Sequence, residues 1–276
     1  MTFRGGVAVV TGAASGMGQL FARRLAAQGA TVIAADIDEP GLETTARHAR
    51  SVECARLDVT DAGAVKELVA RVERDHGGID RLVNAAGIAR VGLLAEQDVD
   101  EIELVMRVNY LGTMRLVKAA LPGMLSRNSG DIVNFASLAG WLPTLRLGAY
   151  DASKFAVVAF SEVLAHEQED TALRICCVCP PVVETPMVDG MRVQDPASLG
   201  GQRGIQPGVV IDAIERGLDA GRLFVFPGPG TAALQRARRL APGPLWGFIR
   251  RTERTGAERR QRAVDHTRWE AGDHPV

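Results

Sequence analysis

Tyr150 and Lys154, four positions apart, are the residue types in this chain whose spacing most directly suggests chemistry. On a helix such a pair projects from one face, with about 5–6 Å between Cβ atoms. A free phenol ionises near 10 and is a poor base at neutral pH. An adjacent ammonium favours the phenolate and is expected to bring that value down. The pair could then pass a proton to or from an alcohol oxygen. Taken alone, the same spacing also describes a buried tyrosine beside a solvated lysine. It gains weight only if the rest of the chain supplies a hydride carrier and a pocket.

A carrier site is legible near the start of the chain. An apolar strand over residues 6–10 leads into Thr11-Gly12-Ala13-Ala14-Ser15-Gly16-Met17-Gly18. A helical pattern follows over 18–28 with Gly29 at its end, then a strand over 31–35 that stops at Asp36. Strand, glycine-rich turn, helix and strand form a βαβ unit. Its glycines let a pyrophosphate approach the backbone, and the helix N-terminus offers free N–H groups. Asp36 is placed to accept hydrogen bonds from ribose hydroxyls and to repel a 2′-phosphate. Ile37 follows it, and the glycine loop holds no basic residue. These features predict NAD(H) over NADP(H).

The elements needed to position these residues recur along the chain. Strands are predicted over 52–57, 80–83, 131–136, 173–178 and 223–226, with helices over 62–76, 99–125 and from Tyr150 to about 170. Alternating strands and helices argue for a parallel sheet with right-handed crossovers. The chain has 276 residues, 46% hydrophobic and 24% charged, with a net charge of -1. That balance gives no overall pull toward nucleic acid or an anionic membrane. The cysteines Cys176, Cys177 and Cys179 crowd one apolar run, and with Cys54 they read as small hydrophobes in a reducing compartment, not as metal ligands. An apolar strand begins within six residues and no apolar run is long enough to span a bilayer, so a cytoplasmic protein is expected.

The ordered set Thr11 to Gly18, Asp58-Val59, Asn84-Ala85-Ala86-Gly87, Asn109, Ser137, Tyr150 to Lys154 and Pro180 to Met187 resembles the short-chain dehydrogenase/reductase family, in its compact single-domain branch. The resemblance covers residues 5–230. It implies a doubly wound parallel sheet (Rossmann fold) of about seven strands with helices on both faces. Residues 1–230 would form one dinucleotide-binding and catalytic domain, and residues 231–276 an Arg-rich helical extension.

Roles follow from the resemblance residue by residue. Tyr150 would be the acid/base, and Lys154 would lower its pKa and bind the nicotinamide ribose. Ser137 would bond the reacting oxygen. Asn109 would hold a water that continues the proton relay. Gly12, Ser15, Gly16, Met17 and Gly18 would cradle the phosphates, with Asp36 and Ile37 at the adenosine ribose. Asp58 and Val59 would meet the adenine, and Asn84, Ala85, Ala86 and Gly87 would lie along the adenosine side. Pro180, Val183 and Thr185 would contact the nicotinamide. Two departures stand out: Ala85 where many members have a second asparagine, and Pro181 where Pro-Gly is usual, which reshapes the nicotinamide wall.

In the family the segment between Ser137 and Tyr150 lines the substrate cleft. Ala139, Trp141, Leu142, Leu145 and Leu147, with Pro181 and Met187, therefore suggest an apolar or bulky secondary alcohol or ketone. Residues 187–205, rich in glycine and polar residues, read as a mobile lid. A homodimer or homotetramer is implied. The competing reading is a non-catalytic NAD-binding regulator, which would have no use for a proton relay. Between Arg236 and Arg262 stand nine arginines against two glutamates, interrupted by Leu245, Trp246, Phe248 and Ile249. This tail could touch an anionic membrane surface, pack on a partner subunit, or remain a solvated helix pair.

Overall fold

Short runs of β-branched and small apolar residues form the strands, as expected for strands buried on both faces. The computed structural model describes residues 3, 5–47, 49–194, 203–241, 243, 244, 247, 250 and 251. Strands β1 (Val7–Thr11), β2 (Thr31–Asp36), β3 (Val52–Arg56), β4 (Arg81–Asn84), β5 (Asp131–Phe135), β6 (Arg174–Val178) and β7 (Phe224–Val225) pair in parallel. Their order is β3-β2-β1-β4-β5-β6-β7. The chain winds outward from β1 through β2 to β3, then returns to β4 on the other side. The carboxyl ends of β1 and β4 flank that reversal, where doubly wound sheets bind ligands.

Helices cover both faces. On one, α1 (Gly16–Ala27), α2 (Glu39–Ala46) and α8 (Pro207–Asp219) bury Phe21, Leu25, Leu42, Ile211 and Ile214 against Val10, Val32 and Val133. On the other, α3 (Ala62–His76), α5 (Thr113–Arg127) and α6 (Gly148–Glu167) bury Val65, Leu68, Leu116, Met124 and Leu164 against Val9, Leu82 and Ile132. Cys176, Cys177 and Cys179 are buried and free. Helix α2 lies in a stretch where no element was anticipated; Asp38 caps it by accepting from Gly41 N at 3.2 Å.

Two stretches depart from the sequence reading. The single helix expected over 99–125 is α4 (Val99–Met106), a π-helical turn (Arg107–Gly112) and α5. The turn carries Asn109, whose buried side chain makes three hydrogen bonds that offset the poorer helix geometry. A Cβ at Gly112 would lie 2.7 Å from Val59 Cγ2, so this turn packs directly on the end of the β3 connection. The lid expected over 187–205 opens as helix α7 (Pro186–Gln194), with proline in its first turn and Val188 and Met191 buried. Arg192 pairs with Glu184 at 2.8 Å and holds the Glu184 carboxyl down at about 2. Residues 195–202 lie outside the described residues.

The opposite end of the sheet carries a buried ion cluster. Arg81, fully buried, donates to Asp131 Oδ2 from Nε at 2.9 Å and Nη2 at 2.7 Å, and from Nη1 to Glu215 Oε1 at 2.6 Å. Arg174 completes it with bonds of 2.6 and 2.8 Å to Asp131. The Phe3 ring lies 4.2 Å from the Arg81 guanidinium carbon. The Arg-rich extension begins at α9 (Thr231–Leu240), anchored by Thr231 Oγ1 donating to Pro227 O at 2.8 Å. Leu245, Trp246, Phe248 and Ile249 lie outside the described residues. No described helix is long and apolar enough to cross a membrane.

Candidate active site

The glycine loop joins β1 to α1. Gly12 has φ +66, and a Cβ there would stand 2.7 Å from Ala86 N. A Cβ on Gly18 would overlap Gly12 O, so only glycine lets α1 start this close to the loop. Ser15 is the extended N-cap of α1 and Met17 packs on the core, leaving a backbone-lined cradle at a helix N-terminus. Thr185 stands beside it: its Cγ2 would be 3.6 Å from a Cβ on Gly16.

Asp36, at the carboxyl end of β2, reaches back to the loop. Its Oδ2 accepts from Ala14 N at 3.0 Å and its Oδ1 from Asp38 N at 3.1 Å. Ile37 is 62% exposed just beyond. Asp58, exposed after β3, accepts from Thr60 N at 2.8 Å, and Val59 beside it is buried.

Asn84 does not present its amide to this cleft. It is buried and donates to Asn134 Oδ1 at 2.8 Å, and Asn134 donates to Ser161 Oγ at 3.0 Å. The side chain falls on the Leu82 face of β4, toward α6, and ties β4 to β5. The following residues Ala85, Ala86 and Gly87 instead line the turn against Gly12 and Asn109.

Helix α6 brings the reactive pair together. Lys154 Nζ lies 5.5 Å from the Tyr150 ring centroid and donates to Phe135 O at 2.8 Å, at the carboxyl end of β5. A Cβ on Gly87 would meet Asn109 Oδ1 at 3.3 Å and Lys154 Nζ at 3.6 Å, so these three residues converge. Asn109 Oδ1 accepts from Ile88 N at 2.8 Å, and Nδ2 donates to Ile88 O and Ser153 Oγ, both at 2.9 Å. Ser153 Oγ in turn donates to Tyr150 O at 2.7 Å. The Asn109 amide is thus committed at both ends to holding the 88 turn and α6.

Ser137 begins a 3-10 turn after β5. Its Oγ accepts from Ala139 N at 3.1 Å and donates to Pro180 O at 3.5 Å, and it stands near enough to the Tyr150 phenol to favour its ionised form. Gly140 makes that approach possible, since a Cβ there would stand 2.7 Å from Lys154 O.

The electrostatics correct the expectation of a phenol held down by the ammonium. Burial pushes Tyr150 up to about 12; the Ser137 hydrogen bond opposes this, and the Asp151 carboxylate adds to it. Burial also brings Lys154 down to about 8. In the protein alone burial moves both groups toward their neutral forms, although Lys154 still carries its proton at neutral pH.

The substrate side divides. Leu147 is buried and packs with Ala89, Met191, Val91 and Tyr150. Trp141 turns the other way: its Nε1 donates to Cys179 Sγ at 3.3 Å, and it packs edge-on to Phe224 at 5.1 Å. It therefore supports the wall from behind. Pro180 is buried and Pro181 half-buried between β6 and Val183. Val183 is buried and bridges Ile205, while Met187 is 37% exposed on α7. Ala89, Val91, Ser153 and Met191 escaped the sequence reading. Only Ser153 carried a local signal, lying three positions after Tyr150 on the same helix. A cavity of about 590 Å³ between α8, β7 and α9 contains none of the candidate residues.

Comparison with known proteins agrees with this geometry. The model of the short chain dehydrogenase family matches residues 6–195. An uncharacterised oxidoreductase of Staphylococcus saprophyticus is 39% identical over 66% of this chain and 80% of its own length. A 2,3-dihydro-2,3-dihydroxybenzoate dehydrogenase of Bacillus subtilis is 37% identical over 66% of this chain and 72% of its own. Among solved structures, a short chain dehydrogenase/reductase of Burkholderia phymatum in complex with NAD superposes with a TM-score of 0.80 and 29% identity, covering 87% of this chain and 94% of that one.

Proposed function

Since the chain belongs to the short-chain dehydrogenase/reductase family, whose members are oxidoreductases that bind a nicotinamide cofactor, we propose that it transfers a hydride reversibly between NAD(H) and an apolar or bulky secondary alcohol or ketone, with Tyr150 as acid/base. The observation that carries the reading is the meeting of Tyr150, Lys154 and Ser137 near the sheet reversal, beside a glycine loop whose missing Cβ atoms let α1 and the turn after β4 pack backbone to backbone around the helix N-terminus. The cradle residues fit a dinucleotide: Gly12, Gly16 and Gly18 for the phosphates, Asp36 for the ribose hydroxyls. NAD(H) is preferred to NADP(H) because the Asp36 carboxylate would repel a 2′-phosphate, and Ile37 offers no cation to bind it.

A bound nicotinamide supplies or accepts the hydride. In reduction, the neutral Tyr150 phenol donates its proton to the carbonyl oxygen while the Ser137 hydroxyl donates a hydrogen bond to the same oxygen. In oxidation, Tyr150 must first lose its proton; burial opposes that step, and Ser137 favours it. Lys154 binds the ribose hydroxyls, and Asn109 fixes the turn around it. Leu147 with Met191 bounds the substrate. The arginines of residues 231–276 remain in solvent or meet an anionic membrane surface, and the chain assembles as a cytoplasmic homodimer or homotetramer. Val99, Phe155 and Val163, exposed on α4 and α6, support the assembly.

A panel of secondary alcohols and ketones with NAD(H) and NADP(H), followed by nicotinamide absorbance, tests the reading. Turnover with NAD(H) is expected. No turnover with either cofactor would overturn the activity, and a preference for NADP(H) would overturn the role of Asp36. Liposome co-sedimentation against a chain ending at Gly230 tests the extension, and light scattering the assembly.

A further inference from the structure

Asp151 lies inside the reactive stretch, yet neither hydride nor proton transfer uses it. It is 4% exposed. Its Oδ2 accepts from Thr144 N at 2.6 Å, seven residues back in the wall of the substrate cleft. Leu147 N donates to Thr144 O at 3.3 Å, and Asp151 N donates to Leu147 O at 2.8 Å. Thr144, Leu147 and Asp151 therefore close a ring of three hydrogen bonds whose middle member packs against Tyr150.

This ring is costly to keep. Asp151 Oδ1 is buried without a hydrogen-bond partner. Burial pushes the carboxyl up to about 7, with the Thr144 N–H opposing. A buried, half-satisfied carboxyl destabilises a fold unless its bond secures something. What it secures is the middle of the wall. One end is held by Trp141 on Cys179 and Phe224. The other is held at Arg146, whose O accepts from Gly92 N at 2.9 Å and whose φ of 69 is left-handed. Between them the Asp151 carboxylate ties the wall to the helix bearing Tyr150.

We propose that Asp151 is a positioning residue that pins the 141–147 wall to α6, holds Leu147 against Tyr150, and thereby selects bulky over small alcohols. This rests on the reading of Tyr150 as the acid/base. The experiment measures kcat and KM for menthol and isopropanol with NAD, together with hydrogen exchange at the Thr144 amide, in wild type, Asp151→Ala and Asp151→Asn. Asp151→Ala is expected to lower the menthol-to-isopropanol ratio of kcat/KM about tenfold through a raised KM for menthol, with kcat on isopropanol within about twofold. Exchange at Thr144 is expected to quicken about tenfold or more as its acceptor is lost.

Asp151→Asn keeps an oxygen acceptor and is expected to keep both values near wild type. An unchanged ratio with unchanged Thr144 exchange overturns the proposal. So does an equal fall for both alcohols in step with thermal stability, which a merely structural role would give. If Asp151→Ala does not fold, Thr144→Pro deletes the donor from the exposed side of the same bond and is expected to shift the ratio likewise; an unshifted ratio overturns the proposal. A wild type inert toward every alcohol and ketone defeats the functional reading instead, and the exchange measurement still decides whether Asp151 holds the wall.

Discussion

Strands β4 and β5 carry a cluster of ionisable or strongly polar groups at each end. At the amino ends, Arg81 is as buried as any side chain in the molecule, but Asp131 and Glu215 meet its guanidinium at 2.6–2.9 Å. Arg174 adds a second cation to Asp131, and its own pKa is raised, first by that hydrogen bond. At the carboxyl ends, buried Lys154 donates to a backbone carbonyl, Asp151 is buried with a backbone N–H as its partner, and for half-buried Tyr150 desolvation is the largest influence. In the first cluster each side chain faces a group of opposite charge. The second is pushed toward neutrality, with Tyr150 at about 12, Lys154 at about 8 and Asp151 at about 7. Compensated burial holds strands in register; uncompensated burial leaves protons ready to move.

Substitutions at the two ends should therefore separate activity from stability. Tyr150→Phe is expected to lower turnover by about a thousandfold or more while leaving thermal stability and NAD binding intact. Coincident loss of fold and activity would erase the contrast. Asp131→Ala leaves Arg81 with Glu215 as its remaining carboxylate partner and is expected to cost about 3 kcal/mol in chemical denaturation, with activity per folded molecule retained. On the cofactor side, Asp36→Ala combined with Ile37→Arg is expected to raise the NADP-to-NAD ratio of kcat/KM by about tenfold or more, because a repulsion is removed and a cation supplied.

The smallest effect lies at Asp151. Its folded pKa of about 7 stands above the ordinary 3.8, so the folded state holds the proton longer than the unfolded chain does. Wild-type stability is therefore expected to fall as pH rises from about 4 to about 7 through this group. Asp151→Asn should flatten that fall and gain on wild type at pH 8 relative to pH 5; parallel pH profiles for the two proteins would contradict it.

The reach of the sequence follows the same division. Tyr150, Lys154 and the glycine loop were legible because their geometry is local: a helical turn and a strand-to-helix junction fix it. The π-turn at Asn109 was not, since apolar residues over 99–125 keep helical spacing whichever turn is wider. Asn84 was assigned to the cleft, but its orientation is set by Asn134 and Ser161, 50 and 77 positions away, which no local pattern reveals. Trp141 and Leu147 looked alike as wall residues until packing sent one behind the wall and the other against Tyr150. The phenol's pKa was misjudged for the same reason: the lysine is a neighbour in sequence, whereas the burial that outweighs it is tertiary.

The most direct measurement is the ionisation of Tyr150 itself. The chain has two tyrosines, Tyr110 and Tyr150, so the tyrosinate absorbance of wild type minus that of Tyr150→Phe isolates one phenol. In the protein without cofactor, while circular dichroism reports a folded chain, that difference signal is expected to stay absent through pH 10 and to rise only toward pH 12. A difference signal at half height near pH 10 or below would contradict the uncompensated burial on which the contrast between the two ends depends.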